Sequence, residues 1–384
     1  MKKIFSLILS ILLIFSLAAC SSDKSGDAND ESDTESAQER VFREETGSYE
    51  YQLNDEGKCE ITKYLPNSVK IVDITLPQTI DGRDVVGIAT GTFKAENSIK
   101  SVKIPETYTY ISDYAFYDCD SLETVTFLGE KVTAIGAGAF EQCDKLASIN
   151  IPKTVLTIGD FAFKDCIALT SLDLSGSVVS IGKGAFFGCK TIKTIKLSDS
   201  ISEISKSAFY GCDELEYTKD DNALYLGNDS NKNLVLISAV DLDIETCTVN
   251  DSAKVIADLA FANCDMTTSV TLGKNIKKIY STSFTGCTKL IMNESENGYY
   301  LGTSENPTMV LMSLIVPSVE DLTIGNTTII ICDKAFENCP ALKNIHYAET
   351  KDEWDAVIKP NDWNNGRSIR VLFANGDVES VIYE

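Results

Sequence analysis

Apolar positions between residues 88 and 345 alternate between two patterns, well seen from Ile135 to Val155, which reads Ile-Gly-x-x-Ala-Phe-x-x-Cys-x-x-Leu-x-x-Ile-x-Ile-Pro-x-x-Val. The Leu-x-x-Ile-x-Ile part alternates apolar with polar positions and is rich in β-branched residues. Leu146 to Ile151 therefore reads as a short strand with Ile149 and Ile151 turned inward. Pro152 ends it, because proline cannot donate to a ladder. The Gly-x-x-Ala-Phe part suits a tight turn or one helical turn on the other side. There Phe140 would fill the core, and Ala139 would leave room for the next copy.

The same text returns along the chain. Phe116, Phe140, Phe163, Phe186, Phe209, Phe261, Phe284 and Phe336 each stand three residues before a cysteine: Cys119, Cys143, Cys166, Cys189, Cys212, Cys264, Cys287 and Cys339. Successive cysteines are 24, 23, 23, 23, 52, 23 and 52 residues apart, and a degenerate copy without cysteine covers Ile88 to Pro105, making nine. A fixed period of this length marks a solenoid, whose units bury their apolar faces only by stacking on neighbours. All sixteen Phe and Cys positions are expected in that core.

The signature Ala-Phe-x-x-Cys-x-x-Leu, in phase with the strand, the proline and the glycine, resembles the BspA-like leucine-rich repeat surface proteins over residues 48–384. It loosens at Ile192 and Thr267, which stand in the leucine position, and at Thr282-Ser283-Phe284, which lacks the alanine. The expected fold is a β-rich leucine-rich repeat solenoid, short parallel strands on one side and a turn or short helix on the other. It is expected to be capped at both ends and to carry two hairpin insertions.

Each 52-residue step equals one repeat plus 29 residues, and both contain a similar segment: Asn222-Ala-Leu-Tyr-Leu-Gly before Asn233-Leu-Val-Leu-Ile-Ser, and Asn297-Gly-Tyr-Tyr-Leu-Gly before Pro307-Thr-Met-Val-Leu-Met-Ser. Each reads as two strands around a polar turn, serving as edge protection or as a ligand-gripping protrusion. Open coils need caps. At the start, hairpin signals around Asn54-Asp-Glu-Gly57 place one over residues 48–84. At the end, Thr350-Lys-Asp-Glu353 is a capping box before a Trp354 helix, and Asn375-Gly376 turns a hairpin, so the second cap spans 346–384 and the solenoid 85–345.

The first twenty residues bear on compartment. Lys2 and Lys3 precede an apolar run from Ile4 to Leu17 that ends in Leu-Ala-Ala-Cys, too short to span a bilayer and shaped like an export signal. Leu17 to Cys20 resembles the lipobox of bacterial lipoproteins, which implies removal of residues 1–19 and diacylation of Cys20. Residues 20–46 carry nine carboxylates and almost no aliphatics, and read as a disordered tether. The expected location is the extracytoplasmic side of a bacterial membrane, held there by lipid. The formal charge of −23 argues against nucleic acid and anionic lipid as partners.

Little in the chain suggests catalysis. His346 is the single histidine and is expected on the outward face of the last repeat strand, and no nucleophile elbow, zinc-protease motif or P-loop occurs. No Cys-x-x-Cys pair supports a metal site, and the row Asp120, Asp144, Asp213 and Asp265 is broken by Ile167 and Lys190, which favours turn-forming Asp over calcium. No cofactor is expected. With Cys20 lipid-linked, eleven cysteines remain. In a stacked column their side chains run parallel, so they read as free, buried thiols filling a small slot.

Outward strand positions form two columns. Five residues after each cysteine come Ser101, Thr124, Ser148, Ser171, Thr194, Tyr217 and Ser269, counting Ser101 in the degenerate copy; seven after come Asn150, Asp173, Lys196 and Lys219 among others. Hydroxyls so regular serve either as cross-strand pairs or as a ligand face. The expected function is therefore that of a non-enzymatic, surface-anchored protein whose strand face binds extracellular protein or glycan, and the resemblance adds adhesion to host matrix or other cells. The alternatives are an envelope scaffold without a ligand and, more remotely, a carboxylate hydrolase.

Overall fold

The structure, a computed structural model, describes residues 40–44, 47–67, 72–361, 363–364 and 366–381. These lie in one compact unit, Glu39–Glu384; the other unit, Met1–Gln38, falls outside the described residues, and with it the expected export signal, Cys20 and most of the expected tether. Arg40–Glu44, within the span expected as tether, is a strand paired antiparallel with Gly47–Leu53, and its Phe42 packs against the core.

The described unit is a β-solenoid of about 13 turns with little helix. Each regular coil contributes to three parallel ladders. One consists of two-residue strands at the Ile-Gly step: Tyr110–Ile111, Ala134–Ile135, Thr157–Ile158, Ser180–Ile181 and Glu203–Ile204, in register. A second holds the expected strands, Ser101–Ile104, Thr124–Phe127 and Ser148–Asn150, followed by the pair Ser171–Leu174 and Thr194–Leu197. The third is carried by the turns themselves. Phe116, Phe140, Phe163 and Phe186 donate their N–H to Ala139, Ala162, Ala185 and Ala208 of the next coil at 2.7–2.9 Å.

Backbone groups between coils in the turns are met with left-handed residues two before and two after most of the core phenylalanines; Ser207, Thr282 and Asn338 are the exceptions. Gly138 (φ 58) and Gly184 (φ 59) occupy the first position without strain. Tyr114 (φ 55) and Phe161 (φ 57) occupy it at a cost of about 1–2 kcal/mol each.

Inside the coils the phenylalanines stack into a continuous column. Phe93, Phe116, Phe140, Phe163, Phe186 and Phe209 lie 4.8–5.9 Å apart, centroid to centroid, with planes within 4–12°. Phe261 and Phe284 form a separate stacked pair. Toward the N-terminus Tyr64 and Tyr49 continue the column, tilted, from the sheet Gly47–Leu53 and Cys59–Leu65, which pairs with Arg83–Ile88. Toward the C-terminus a second cluster packs Phe336 and Tyr347 edgewise against Trp363 and Trp354. Trp354 lies on the helix Lys351–Ala356, where the Glu353 carboxylate accepts from the Thr350 N–H at 3.0 Å.

Both insertions turn out to be whole coils. Thr218–Asp220, Ala223–Leu226 and Val235–Ala239 form an antiparallel meander whose last strand joins the Ile-Gly ladder beside Val255–Ile256; Asn293–Ser295, Gly298–Leu301 and Val310–Leu314 repeat it beside Ile330–Ile331. The Ala239 N–H reaches Ala260 O at 3.0 Å, a bond that a core phenylalanine makes elsewhere. Tyr225 and Leu236 fill the interior in its place. The match extends to detail: Gly227 O accepts from Leu197 N (2.9 Å) and Gly302 O from Leu272 N (2.8 Å).

Candidate binding face

On the second ladder the strand alternation puts one residue inward and the next outward, and parallel pairing sets the outward ones in file, about 4.8 Å per coil. Ser101 pairs with Thr124 and Thr124 with Ser148; Ser171 pairs with Thr194. Ser148, Ser171 and Thr194 are exposed, Ser101 and Thr124 half-buried.

Several expected face residues are already engaged. Asn150 holds the Phe127 backbone, accepting from its N–H at 3.0 Å and donating to its carbonyl at 3.2 Å. Asp173 accepts from Ser175 N at 2.9 Å, and Ser175 holds its carboxyl below the usual range. Lys196 Nζ lies 2.6 Å from Asp229, in the turn of the first insertion, and this bond raises its pKa. Ser101 Oγ donates to Asp73 at 2.5 Å. Thr124, Ser148, Ser171 and Thr194 make no side-chain hydrogen bond to any described residue, which leaves four hydroxyls in successive coils free for a ligand.

Tyr217 and Lys219 do not continue the file. Thr218–Asp220 leaves the parallel ladder to join the insertion's meander, and Tyr217 packs half-buried against the core, where burial pushes its hydroxyl pKa up. Ser269 is exposed but pairs with Thr246 in a separate two-stranded sheet. The face is thus a four-coil patch beside the first insertion, shorter than the column of positions suggests.

All eight core phenylalanines are buried, and so are the repeat cysteines except half-buried Cys287. The eleven described cysteines form no disulfide. A role for the thiol emerges that spacing does not disclose. Cys143, Cys166, Cys189 and Cys212 donate Sγ–H to the carbonyls of Phe116, Phe140, Phe163 and Phe186 of the preceding coil, at 3.0–3.1 Å. Phe140 O also accepts from Cys143 N at 3.2 Å, so the thiol occupies the carbonyl's second lone pair. After each insertion the phenylalanine carbonyl is missing, and Cys264 and Cys339 turn to Asp241 O (3.7 Å) and Val316 O (3.6 Å).

His346 is exposed with Nε2 3.3 Å from Asp321 Oδ1 on the neighbouring strand, flanked in register by Thr323 and Leu372. Asp144, between Asp120 and Asp165, has its carboxyl pKa raised by burial and then by those two charges. No group of three or more His, Cys, Asp or Glu among the described residues comes together as metal ligands. No helix among them is long and apolar enough to cross a membrane.

A model of the BspA type leucine rich repeat region matches in six copies, over residues 86–216, 240–301 and 316–355. The first gap in that match covers the meander of the first insertion coil, and the second covers the last strand of the other meander. Among solved structures, the chain is similar to a leucine rich repeat protein of T. pallidum (27% identity, 57% of this chain and 87% of that one, TM-score 0.44). It is also similar to a leucine rich cell surface protein of Faecalibacterium prausnitzii (23% identity, 83% of this chain and 97% of that one, TM-score 0.42). Among curated proteins none matches. With well over half of its length matched by the repeat model, the chain belongs to the BspA type leucine rich repeat family.

Proposed function

We propose that the protein is a non-enzymatic binding protein displayed outside a bacterial membrane. In this reading residues 1–19 are removed, a diacylated Cys20 anchors the chain and the acidic stretch after it is the spacer. The solenoid 85–345, between end units 48–84 and 346–384, holds an extracellular protein or glycan and so mediates adhesion. The observation that supports the binding reading is the file Thr124, Ser148, Ser171 and Thr194: unengaged hydroxyls at one position of four successive coils, paired in register as Thr124 with Ser148 and Ser171 with Thr194, where extended repeat surfaces take ligands.

Two results test it. The full chain should bind a member of an array of matrix proteins, mucins and glycans saturably. The triple change Ser148→Lys, Ser171→Glu, Thr194→Lys should weaken that binding at least tenfold; Ser171→Glu and Thr194→Lys put opposite charges in register, so the ladder tolerates them. A silent array would leave a scaffold. Separately, Cys20→Ser should move the protein from the membrane fraction to the soluble fraction and abolish incorporation of labelled fatty acid. Retention on the membrane would refute the lipid anchor.

A further inference from the structure

The turn edge of the solenoid carries a second ordered surface, built from rings. Tyr114 and Phe161 stand two residues before a core phenylalanine, Phe187 and Tyr210 one residue after; all four are about two-fifths exposed (41%, 42%, 40% and 42%). Tyr117 meets Tyr114 edgewise at 5.9 Å. Four of five successive coils thus present an aromatic in two adjacent columns, and the remaining coil presents Gly138 and Glu141.

The fold does not require these rings. Gly91, Gly138 and Gly184 fill the position of Tyr114 and Phe161 in alternate coils, and both aromatics hold left-handed backbone that disfavours bulky residues. A strained, exposed aromatic where glycine suffices is the kind of outlier that marks a working surface. Each ring also lies over the next glycine: a Cβ at Gly138 would enter the Tyr114 ring, and one at Gly184 the Phe161 ring. Tyr114 and Phe161 are therefore held two coils apart, about 9.6 Å at the sheet spacing.

We propose that this ribbon is a docking platform for an extended, uncharged β-linked polysaccharide. A pyranose has a flat face of C–H groups that stacks on an aromatic ring, and a rim of hydroxyls that needs donors and acceptors beside it. The rim groups are present: Lys164 Nζ lies 2.7 Å from Glu141 Oε1 and 3.9 Å from Asp165 Oδ2, and because it also lies 5.9 Å over the Phe161 ring it must swing aside for a sugar to stack there. In an extended β-linked chain every second sugar turns the same face down, which suits the two-coil separation of Tyr114 and Phe161; Phe187 and Tyr210, on the two coils that follow, extend the platform in the adjacent column. Charge selects against the anionic polymers, because the flanking carboxylates and a net charge of −23 repel them. Protein partners are the poorer match, since Gly138 and Glu141 separate Tyr114 from Phe161, Lys164 and two carboxylates flank the Phe161 ring, and only Phe187 and Tyr210 follow one another in consecutive coils. This site is separate from the hydroxyl file and does not depend on it.

Adsorption isotherms of the full chain on insoluble chitin, cellulose, β-1,3-glucan and β-mannan, with pectate as the anionic control, test the proposal. Saturable retention on at least one neutral polymer is expected, and little on pectate. The double variant Tyr114→Gly, Phe161→Gly should bind at least tenfold more weakly, with glycine already native at 138 and 184. Phe187→Lys, Tyr210→Glu should lose as much; those residue types occur at the same position as Lys164 and Glu141 and leave the left-handed positions untouched. The strand-face triple variant should retain wild-type adsorption, which separates failure of this site from failure of the other. Absence of saturable retention on all four neutral polymers, equal retention on pectate, or retention unchanged in both ribbon variants would overturn it.

Discussion

Phe163→Ala is expected to destabilise the solenoid by about 3–5 kcal/mol, among the largest single-residue costs available to this fold. The ring is fully buried and lies between Phe140 at 5.3 Å and Phe186 at 5.6 Å, nearly parallel to both. Truncation removes its burial, opens a cavity that the rigid ladders on three sides cannot collapse, and deletes two offset stacks worth roughly 0.5–1.5 kcal/mol each. Because a solenoid is a chain of nearest-neighbour couplings, the loss falls on the junction between coils as well as on one coil. Unfolding in denaturant should therefore begin earlier. Hydrogen exchange should show the coils before Phe140 and after Phe186 losing protection separately, where the wild type loses it together. Phe163→Leu, which keeps most of the volume, should cost far less. A Phe163→Ala midpoint within 0.5 kcal/mol of wild type, about the scatter of surface changes, would mean that the column is not what couples the coils.

That column is legible in the sequence because it rests on composition at a fixed step. A phenylalanine must fill one interior site per coil, so Phe140, Phe163 and Phe186 recur with the period of the backbone. The strand at Ser148–Asn150, the Thr350–Glu353 box and the Asn375-Gly376 turn were legible for a similar reason, each being a local pattern with one geometric meaning. The Ile-Gly ladder was not. Two-residue strands such as Ala134–Ile135 are too short to show alternation, and their hydrogen bonds go only to other coils. The turn ladder was hidden because Asp118, Gln142 and Asp165 adopt left-handed backbone that glycine would have advertised. Tyr217 and Lys219 sit at the right offset from Cys212, but a following meander captures their strand, and offset counting cannot see pairing. The hydroxyls of the face were predicted position by position. Which of them are free depends on Asn150, Asp173 and Asp229 reaching particular partners, and only the fold brings those together.

The thiols supply the second large effect, a steep loss of stability in alkali. Burial pushes the pKa values of Cys143, Cys166, Cys189 and Cys332 far up, and those of Cys212 and Cys247 to about 12. Unfolded, each titrates near 8.5. With the folded value raised, the contribution to stability is complete below the unfolded pKa. Above it the unfolded chain sheds protons that the native state keeps, so stability falls with rising pH until the folded thiols themselves ionise. Each such thiol contributes a slope of about 1.4 kcal/mol per pH unit, and six together roughly 8 kcal/mol per pH unit. Tyr225 and Tyr300, raised by burial to about 12, act in the same direction from higher pH. Denaturant midpoints under reducing conditions should be nearly flat from about pH 7 to 8 and drop sharply between about 9 and 11. Replacing Cys166 and Cys189 by alanine should lower stability at neutral pH, through the vacated slot and the loss of the second hydrogen bond to the Phe140 and Phe163 carbonyls, yet flatten the alkaline slope by roughly 3 kcal/mol per pH unit. The two changes have opposite signs, so a general weakening of the fold cannot imitate both. An alkaline slope equivalent to one or two protons would show that the thiols ionise in the native state, and that the carbonyl contacts do not hold their protons.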